Sequence, residues 1–274
     1  MKPDGREPLE RAHLHVPGDA SHRIFRYRPP PDLTDLVQRY WIPVWSVPAG
    51  QGAPQQVLRY PVCLLVVAHD YARFYGVERG LSTTVLTGDG WAVGVMLTPA
   101  AGALLTEGSL SAFTDRTVDL TELLGDAGAR LVARVRAAMR TDPAAPGSQR
   151  AAMGAFDDLL RSCPPVDDEG RFVNRIVAFV EDDSTVLRVE QICAEFGMSE
   201  RALQRLIRHR IGLTPKWLIQ RRRLQEAAGR LRERSVSMAA LAAELGYADQ
   251  PHFVRDFTRV VGTTPGAFAD RYRI

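Results

Sequence analysis

The sequence predicts an α+β chain in two parts: a small N-terminal β-barrel or sandwich closed by helices, then an all-α domain holding two helix-turn-helix units joined by a long helix. Three observations carry this. Short apolar runs between Val62 and Leu97 are broken by glycine at turn spacing, helical periodicity takes over from Leu120, and from Val189 onward one pattern occurs twice, about fifty residues apart.

With 274 residues, 45% hydrophobic and 24% charged, the chain has the composition of a soluble globular protein and the length for two domains. Met1 to Ala20 is polar and lacks the apolar core of a secretion signal, and no uncharged apolar run approaches the ~18 residues of a membrane span, so the expected location is the cytoplasm, with no membrane partner. Cys63, Cys163 and Cys193 are too few and too scattered for a disulfide framework or a four-thiolate zinc site.

In chain order, Pro29-Pro30-Pro31 introduces a short helical pattern over Leu33 to Tyr40, followed by Trp41-Ile42-Pro43-Val44-Trp45. Val62 to Val67 is a continuous apolar run, and Trp91, Val93, Val95 and Leu97 alternate at period two, as strands do. Gly88-Asp89-Gly90 reads as a turn between strands rather than a phosphate loop, because no helical pattern follows it. Leu120 to Met139 and Ala151 to Leu160 have helical spacing and close the first domain. Cys163-Pro164-Pro165 ends the second of these helices, so the domains are expected at residues 1–166 and 167–274. Phe172, Ile176 and Phe179 then give one apolar face to a helix that leads into the repeat.

The first copy runs Val189, Ile192, Cys193, Phe196, a Gly197-Met198-Ser199 turn, then Leu203, Leu206 and Ile207, and closes with Gly212-Leu213-Thr214-Pro215. The second runs Met238, Leu241, Ala242, Leu245, a Gly246-Tyr247-Ala248-Asp249 turn, then Phe253 and Phe257, and closes with Gly262-Thr263-Thr264-Pro265. Ser199 and Asp249 occupy the capping positions of the second helices. With Leu203, Leu206 and Ile207 inward, Arg201, Gln204, Arg205 and Arg208 form an outward stripe that suits a major groove. Arginine can bond guanine O6 and N7 together, and glutamine adenine N6 and N7. The second stripe is poorer: Pro251, Val254, Arg255 and Thr258, with Gln250 and His252 at the helix start. Direct base reading is therefore expected mainly from the first copy, and phosphate and shape contacts from the second.

Between the copies, Pro215 to Arg234 is helical in pattern, with Trp217, Leu224, Ala228 and Leu231 on one side; at 1.5 Å per residue it spans about 30 Å, slightly short of the ~34 Å between successive major-groove faces, which favours bent DNA. Arg221, Arg222 and Arg223 form a basic cluster on it, of which Arg222 is the expected phosphate contact, although one or two of the three can instead pack over the core or pair with Glu226. Residues 171–274 hold 18 Lys or Arg against 12 Asp or Glu, a net +6, which leaves −3 for residues 1–170. Nearly all the basic groups are guanidiniums, which suit bidentate recognition, though a genome rich in G and C would give the same bias.

Residues 171–274 resemble the AraC/XylS family of transcription regulators, on both turns, on Arg223-Leu224 with Ala227, and on the run from Gly246 to Phe257. The resemblance implies two recognition helices in adjacent major grooves, with Arg201, Gln204, Arg205 and Arg255 as base-contacting positions. It implies double-stranded DNA as partner, RNA polymerase and a second copy of the chain as further candidates, and a bacterial source. The N-terminal part is similar, more weakly, to the cupin-like sensor domains of that family, without the histidine pairs of cupin enzymes: His69 stands alone, and His13 and His15 lie in the leader. Trp41, Trp45, Tyr60, Tyr75 and Trp91 are the candidate wall of a pocket for a small-molecule effector, or else plain core. No metal or cofactor site and no catalytic set is expected. The alternative is a bifunctional chain with an enzymatic or redox-sensing N-terminal domain, the latter through Cys163; the DNA-repair type of fusion needs a zinc-bound cysteine cluster, which three scattered cysteines cannot supply.

Overall fold

A computed structural model describes Leu14 and residues 19–233 and 237–272. His13 and His15 lie outside the described residues, as does Arg234 at the end of the connector pattern.

The N-terminal part is an open antiparallel sheet of six strands in the order β1-β2-β7-β4-β5-β8, faced by a two-stranded ribbon, β3-β6. The strands are β1 His22–Tyr27, β2 Val37–Ser46, β3 Ala53–Val57, β4 Leu64–Ala68, β5 Ala72–Tyr75, β6 Ser82–Leu86, β7 Asp89–Leu97 and β8 Thr117–Asp119. Of the expected barrel or sandwich, the barrel is therefore corrected: among the described residues β1 and β8 are the edges of the sheet, and β3 and β6 pair with each other rather than with it. The helical pattern over Leu33 to Tyr40 is corrected too, since only Pro31–Leu33 coil, as one 3₁₀ turn, and Val37 already pairs with Leu97. Leu33, Leu36, Val37 and Tyr40 are all buried, and a turn running into a strand buries that set as well as a helix would. Gly88 sits in the turn between β6 and β7 with φ +55°, which glycine adopts without strain.

Alternation divides the sheet into two faces. Ile42, Leu65, Val67, Phe74, Trp91, Val93, Val95 and Leu97 are buried toward α1 (Leu120–Met139, broken at Gly125) and α2 (Pro146–Arg161). The second of these helices begins earlier than its periodicity suggests, because Pro146 occupies the first turn, where its missing N–H costs nothing. The opposite face, with Trp41, Trp45, Leu64, Val66, Ala92 and Met96, turns toward the ribbon.

The helical part consists of α3 (Asp168–Asp182), α4 (Val189–Phe196), α5 (Glu200–Arg210), α6 (Pro215–Glu233), α7 (Met238–Glu244), α8 (Gln250–Val261) and α9 (Pro265–Asp270). Phe172 and Phe179 of α3 meet the ring of Phe196 edge-on. The start of α6 (Trp217, Leu218, Ile219) packs into the core that continues through α3, α4 and α5 to the sheet, whereas Leu224, Ala227, Ala228 and Leu231 belong to a second core with α7, α8 and α9. One helix thus carries both helix-turn-helix units.

Candidate nucleic-acid interface and ligand pocket

Each copy is set by the same local chemistry. α4 ends at Gly197 in the left-handed region (φ +62°), which turns the chain sharply, and Ser199 Oγ accepts from Ala202 N–H at 3.3 Å to start α5. Leu203 and Ile207 are fully buried, which aims Arg201, Gln204, Arg205 and Arg208 into solvent. Gln204 Nε2 donates to Glu200 Oε1 at 2.8 Å, and none of these three arginines forms an ion pair with another described residue. The stripe is therefore preformed, exposed and electrostatically uncommitted. Arg210, at the end of the same helix, is held by Asp167 (2.6 Å) and Glu169 (2.7 Å).

In the second copy Gly246 takes φ +73°, and Asp249 caps α8 by accepting from His252 N–H at 2.7 Å. Phe253 and Phe257 are buried, leaving Gln250, Pro251, His252 and Arg255 exposed and Val254 half-buried. His252 stands edge-on to Tyr247 with ring centroids 5.2 Å apart, its Nε2 3.9 Å from Asp256. Thr258, which closes the expected stripe, keeps its hydroxyl buried. Arg255 is exposed on this face, and Arg259, also exposed, is paired with Asp256 at 3.0 Å.

The three arginines of α6 point in three directions, all inward. Arg221 is buried, bonded to Glu181 and to the carbonyl of Arg59 (3.2 Å), its guanidinium 4.5 Å from the Tyr60 ring centroid. Arg222, the expected phosphate contact, is 6% exposed and donates to the carbonyls of Ser184 (3.2 Å) and Val186 (2.8 Å), with Glu226 at 3.3 Å. Arg223 lies 3.7 Å over the ring of Tyr247. Burial pulls the pKa of Arg222 and Arg223 below the ordinary guanidinium value.

The N-terminal part grips the helical part at both copies and at the connector. Thr114 Oγ1 donates to Gly212 O (2.7 Å) behind α5, Gln225 Nε2 of α6 donates to Leu58 O (2.7 Å), and Leu81 N–H donates to Val260 O (3.1 Å) at the end of α8. Gly212 permits the first of these approaches, since a Cβ there would lie 2.6 Å from Thr114 Oγ1 and 2.8 Å from Leu110 O.

A cavity of about 200 Å³ opens between the six-stranded sheet and the ribbon. Trp41, Trp45, Tyr60 and Tyr75 line it, as expected; Trp91 does not, because its position in β7 sends it to the helix-covered face. The two indoles are seated by glycine: Trp41 pairs in register with Gly94 and Trp45 with Gly90, and a Cβ on either glycine would come within 2.4 Å of the ring. Sequence reading missed Arg26, Arg39 and Arg59, although Arg39 shares the strand parity of Trp41 and Trp45 and so points the same way. Arg59 lies 4.5 Å over the Tyr75 ring and 3.1 Å from Glu78.

His69 packs edge-on against Trp45 at 5.5 Å, and among the described residues no three His, Cys, Asp or Glu side chains converge on a metal position. Burial raises the Cys163 thiol above its ordinary pKa, which disfavours the thiolate that a redox switch needs, and it pushes the Cys63 thiol up to about 12.

Comparison with known proteins gives separate matches for the two parts of the chain. Residues 192–271 match a family described as a helix-turn-helix domain, and residues 25–119 match a domain of unknown function, DUF6597. The transcriptional activator RhaS of Escherichia fergusonii is 34% identical over 94 residues, which is 34% of each chain, and RhaS of Klebsiella pneumoniae is 32% identical over the same length. The match thus spans about a third of these curated relatives. Among solved structures, a probable AraC family transcriptional regulator from Rhodopseudomonas palustris is 25% identical, covering 37% of this chain and 97% of that one with a TM-score of 0.35.

Proposed function

We propose that this chain, whose C-terminal part belongs to the AraC/XylS family, is a sequence-specific DNA-binding transcription regulator controlled by a small molecule in its N-terminal domain. The observation that carries the reading is the exposed Arg201, Gln204, Arg205, Arg208 stripe on a capped second helix, its cations unpaired with other described residues. Guanidinium and amide groups at that spacing meet base edges, each good bidentate pair discriminating by about 1–3 kcal/mol. Arg255 and the helix start at Gln250 and His252 supply the second contact, mostly to phosphate.

Control through the N-terminal domain is supported by one short segment. Arg59 and Tyr60 line the cavity, and the same two residues hold Arg221 of the connector, one by its carbonyl and one by its ring. An occupant that shifts Tyr60 acts on the helix carrying both reading units, a two-site coupling of the kind ligand-gated regulators need. The test is binding of the full chain to fragments of its own upstream region against a random duplex at matched salt, with and without a compound library. Tighter binding to one fragment, altered by a compound, is the expected result; equal binding to all duplexes overturns the reading.

A further inference from the structure

The outward face of α8 differs in chemistry from that of α5. Counted from the caps Ser199 and Asp249, Pro251, Val254, Arg255 and Thr258 stand where Arg201, Gln204, Arg205 and Arg208 stand on α5. Pro251 and Arg255 are exposed, and Val254 and Thr258 are half-buried. The Thr258 hydroxyl is buried, so carbon is what that side chain presents outward. Asp249, Asp256 and His252 are committed within the protein: Asp249 to the cap, Asp256 to Gln220 Nε2 (2.7 Å) and Arg259 Nη2 (3.0 Å), and the His252 ring edge-on to Tyr247. What remains along the stripe is a ridge of three apolar groups at i, i+3 and i+7, about 10 Å long. Beside it stands Arg255, which forms no ion pair with another described residue.

Such a ridge offers a base edge no hydrogen bond, but it matches the apolar group that the major groove does present, the 5-methyl of thymine. Cytosine in the same place lacks the methyl and brings an N4–H donor that the ridge leaves without an acceptor, so the contact that favours thymine disfavours cytosine. Arg255 adds a cation that holds the ridge against the phosphate backbone. The length of the ridge corresponds to about three base-pair steps of ~3.4 Å.

We propose that Pro251, Val254 and Thr258 contact thymine methyl groups in the major groove, so that the second unit selects its bases by apolar contact where the first uses hydrogen bonds. The assignment rests on the reading of the chain as a sequence-specific DNA binder. It is tested by letting the full chain select duplexes from a random pool, then replacing each thymine of a selected duplex, on either strand, singly by uracil, which removes the methyl and nothing else. Uracil should weaken binding roughly three- to fivefold at one or more thymines inside a window of about three base pairs. That window should lie about one helical turn, ~10 base pairs, from the bases where Arg205→Ala relaxes discrimination. At one of those thymines Val254→Ala, Pro251→Ala or Thr258→Ser, each with unchanged circular dichroism, should abolish the uracil penalty, as the loss of one partner of a coupled pair does. A selected duplex in which no uracil weakens binding overturns the proposal, and that is the result if the ridge serves a protein surface instead. Penalties that survive in all three variants, or that fall outside the window, overturn it too, because the methyls are then contacted from elsewhere. Failure to enrich any sequence overturns this proposal together with the DNA-binding reading, whereas an enriched sequence without methyl dependence overturns this proposal alone.

Discussion

Arg201, Arg205 and Arg208 on α5 stand in solvent, whereas Arg221, Arg222 and Arg223 on α6 turn inward against Glu181, backbone carbonyls and the ring of Tyr247. Residue type is the same in both triplets; spacing and surroundings differ. On α5 the arginines fall one turn apart on the side opposite Leu203 and Ile207, so they share a face that no other described element covers. On α6 they are consecutive, about 100° apart around the axis, and cannot share a face. Each meets a different neighbour: Arg221 the N-terminal domain, Arg222 the segment between α3 and α4, and Arg223 the second helix-turn-helix unit. A run of cations on an enclosed helix is a set of internal staples, whereas cations at helical spacing on an open face stay available to a partner.

The contrast breaks most visibly at Arg221. Arg221→Ala removes a buried cation and leaves Glu181 and the Arg59 carbonyl without their partner, so stability of the full chain is expected to fall by about 3–5 kcal/mol in denaturant titration, with little change in slope. A loss below about 0.5 kcal/mol, the range of ordinary surface changes, would mean that Arg221 is no staple.

Arg205→Ala should do the reverse. Specific DNA binding is expected to weaken by about 1–3 kcal/mol, random-duplex binding to change little, and stability to stay within about 0.5 kcal/mol. Equal losses on specific and random duplexes would make Arg205 a phosphate-binding residue. Arg255→Ala sharpens the difference between the two copies: it should weaken both duplexes alike and reduce the slope of log K against log salt by about 0.9, as expected when one fewer phosphate is neutralised. A specific loss as large as that of Arg205→Ala would show the two copies to be equal readers.

These differences were legible in the sequence where they are local. The turn glycines, the Ser199 and Asp249 caps and the buried Leu203, Ile207, Phe253 and Phe257 follow from helical spacing and left-handed turns, and all are present. What the sequence hides depends on which strand lies beside which. Closure of the sheet was not readable, because nothing in β1 or β8 alone says that each is an edge. The pocket was partly readable: strand parity separates Trp91, which alternates with core valines, from Trp41 and Trp45, and it puts Arg39 with the latter pair. The partners of Arg222 come from Ser184 and Val186, an arrangement no periodicity encodes.

The boundary between the two kinds of arginine falls within α5 itself, at Arg210. Its guanidinium meets Asp167, whose other oxygen accepts from Gly170 N–H at 2.7 Å to cap α3, so one carboxylate ties the last turn of α5 to the start of α3. The Arg210 hydrogen bond, with that of Gly170, holds the Asp167 carboxyl below its ordinary pKa. A carboxyl whose folded pKa is depressed contributes its stability above the unfolded value and loses it as pH falls through the folded one. The melting temperature of the full chain should therefore drop as pH passes down through and below the usual carboxylate range, and Asp167→Asn should show a shallower drop. Because the side chain of Asp167 is more than half exposed, this effect should be smaller than those at Arg221, Arg205 and Arg255. Parallel pH profiles for the two proteins would place Arg210 with the solvent-facing stripe rather than with the staples of α6.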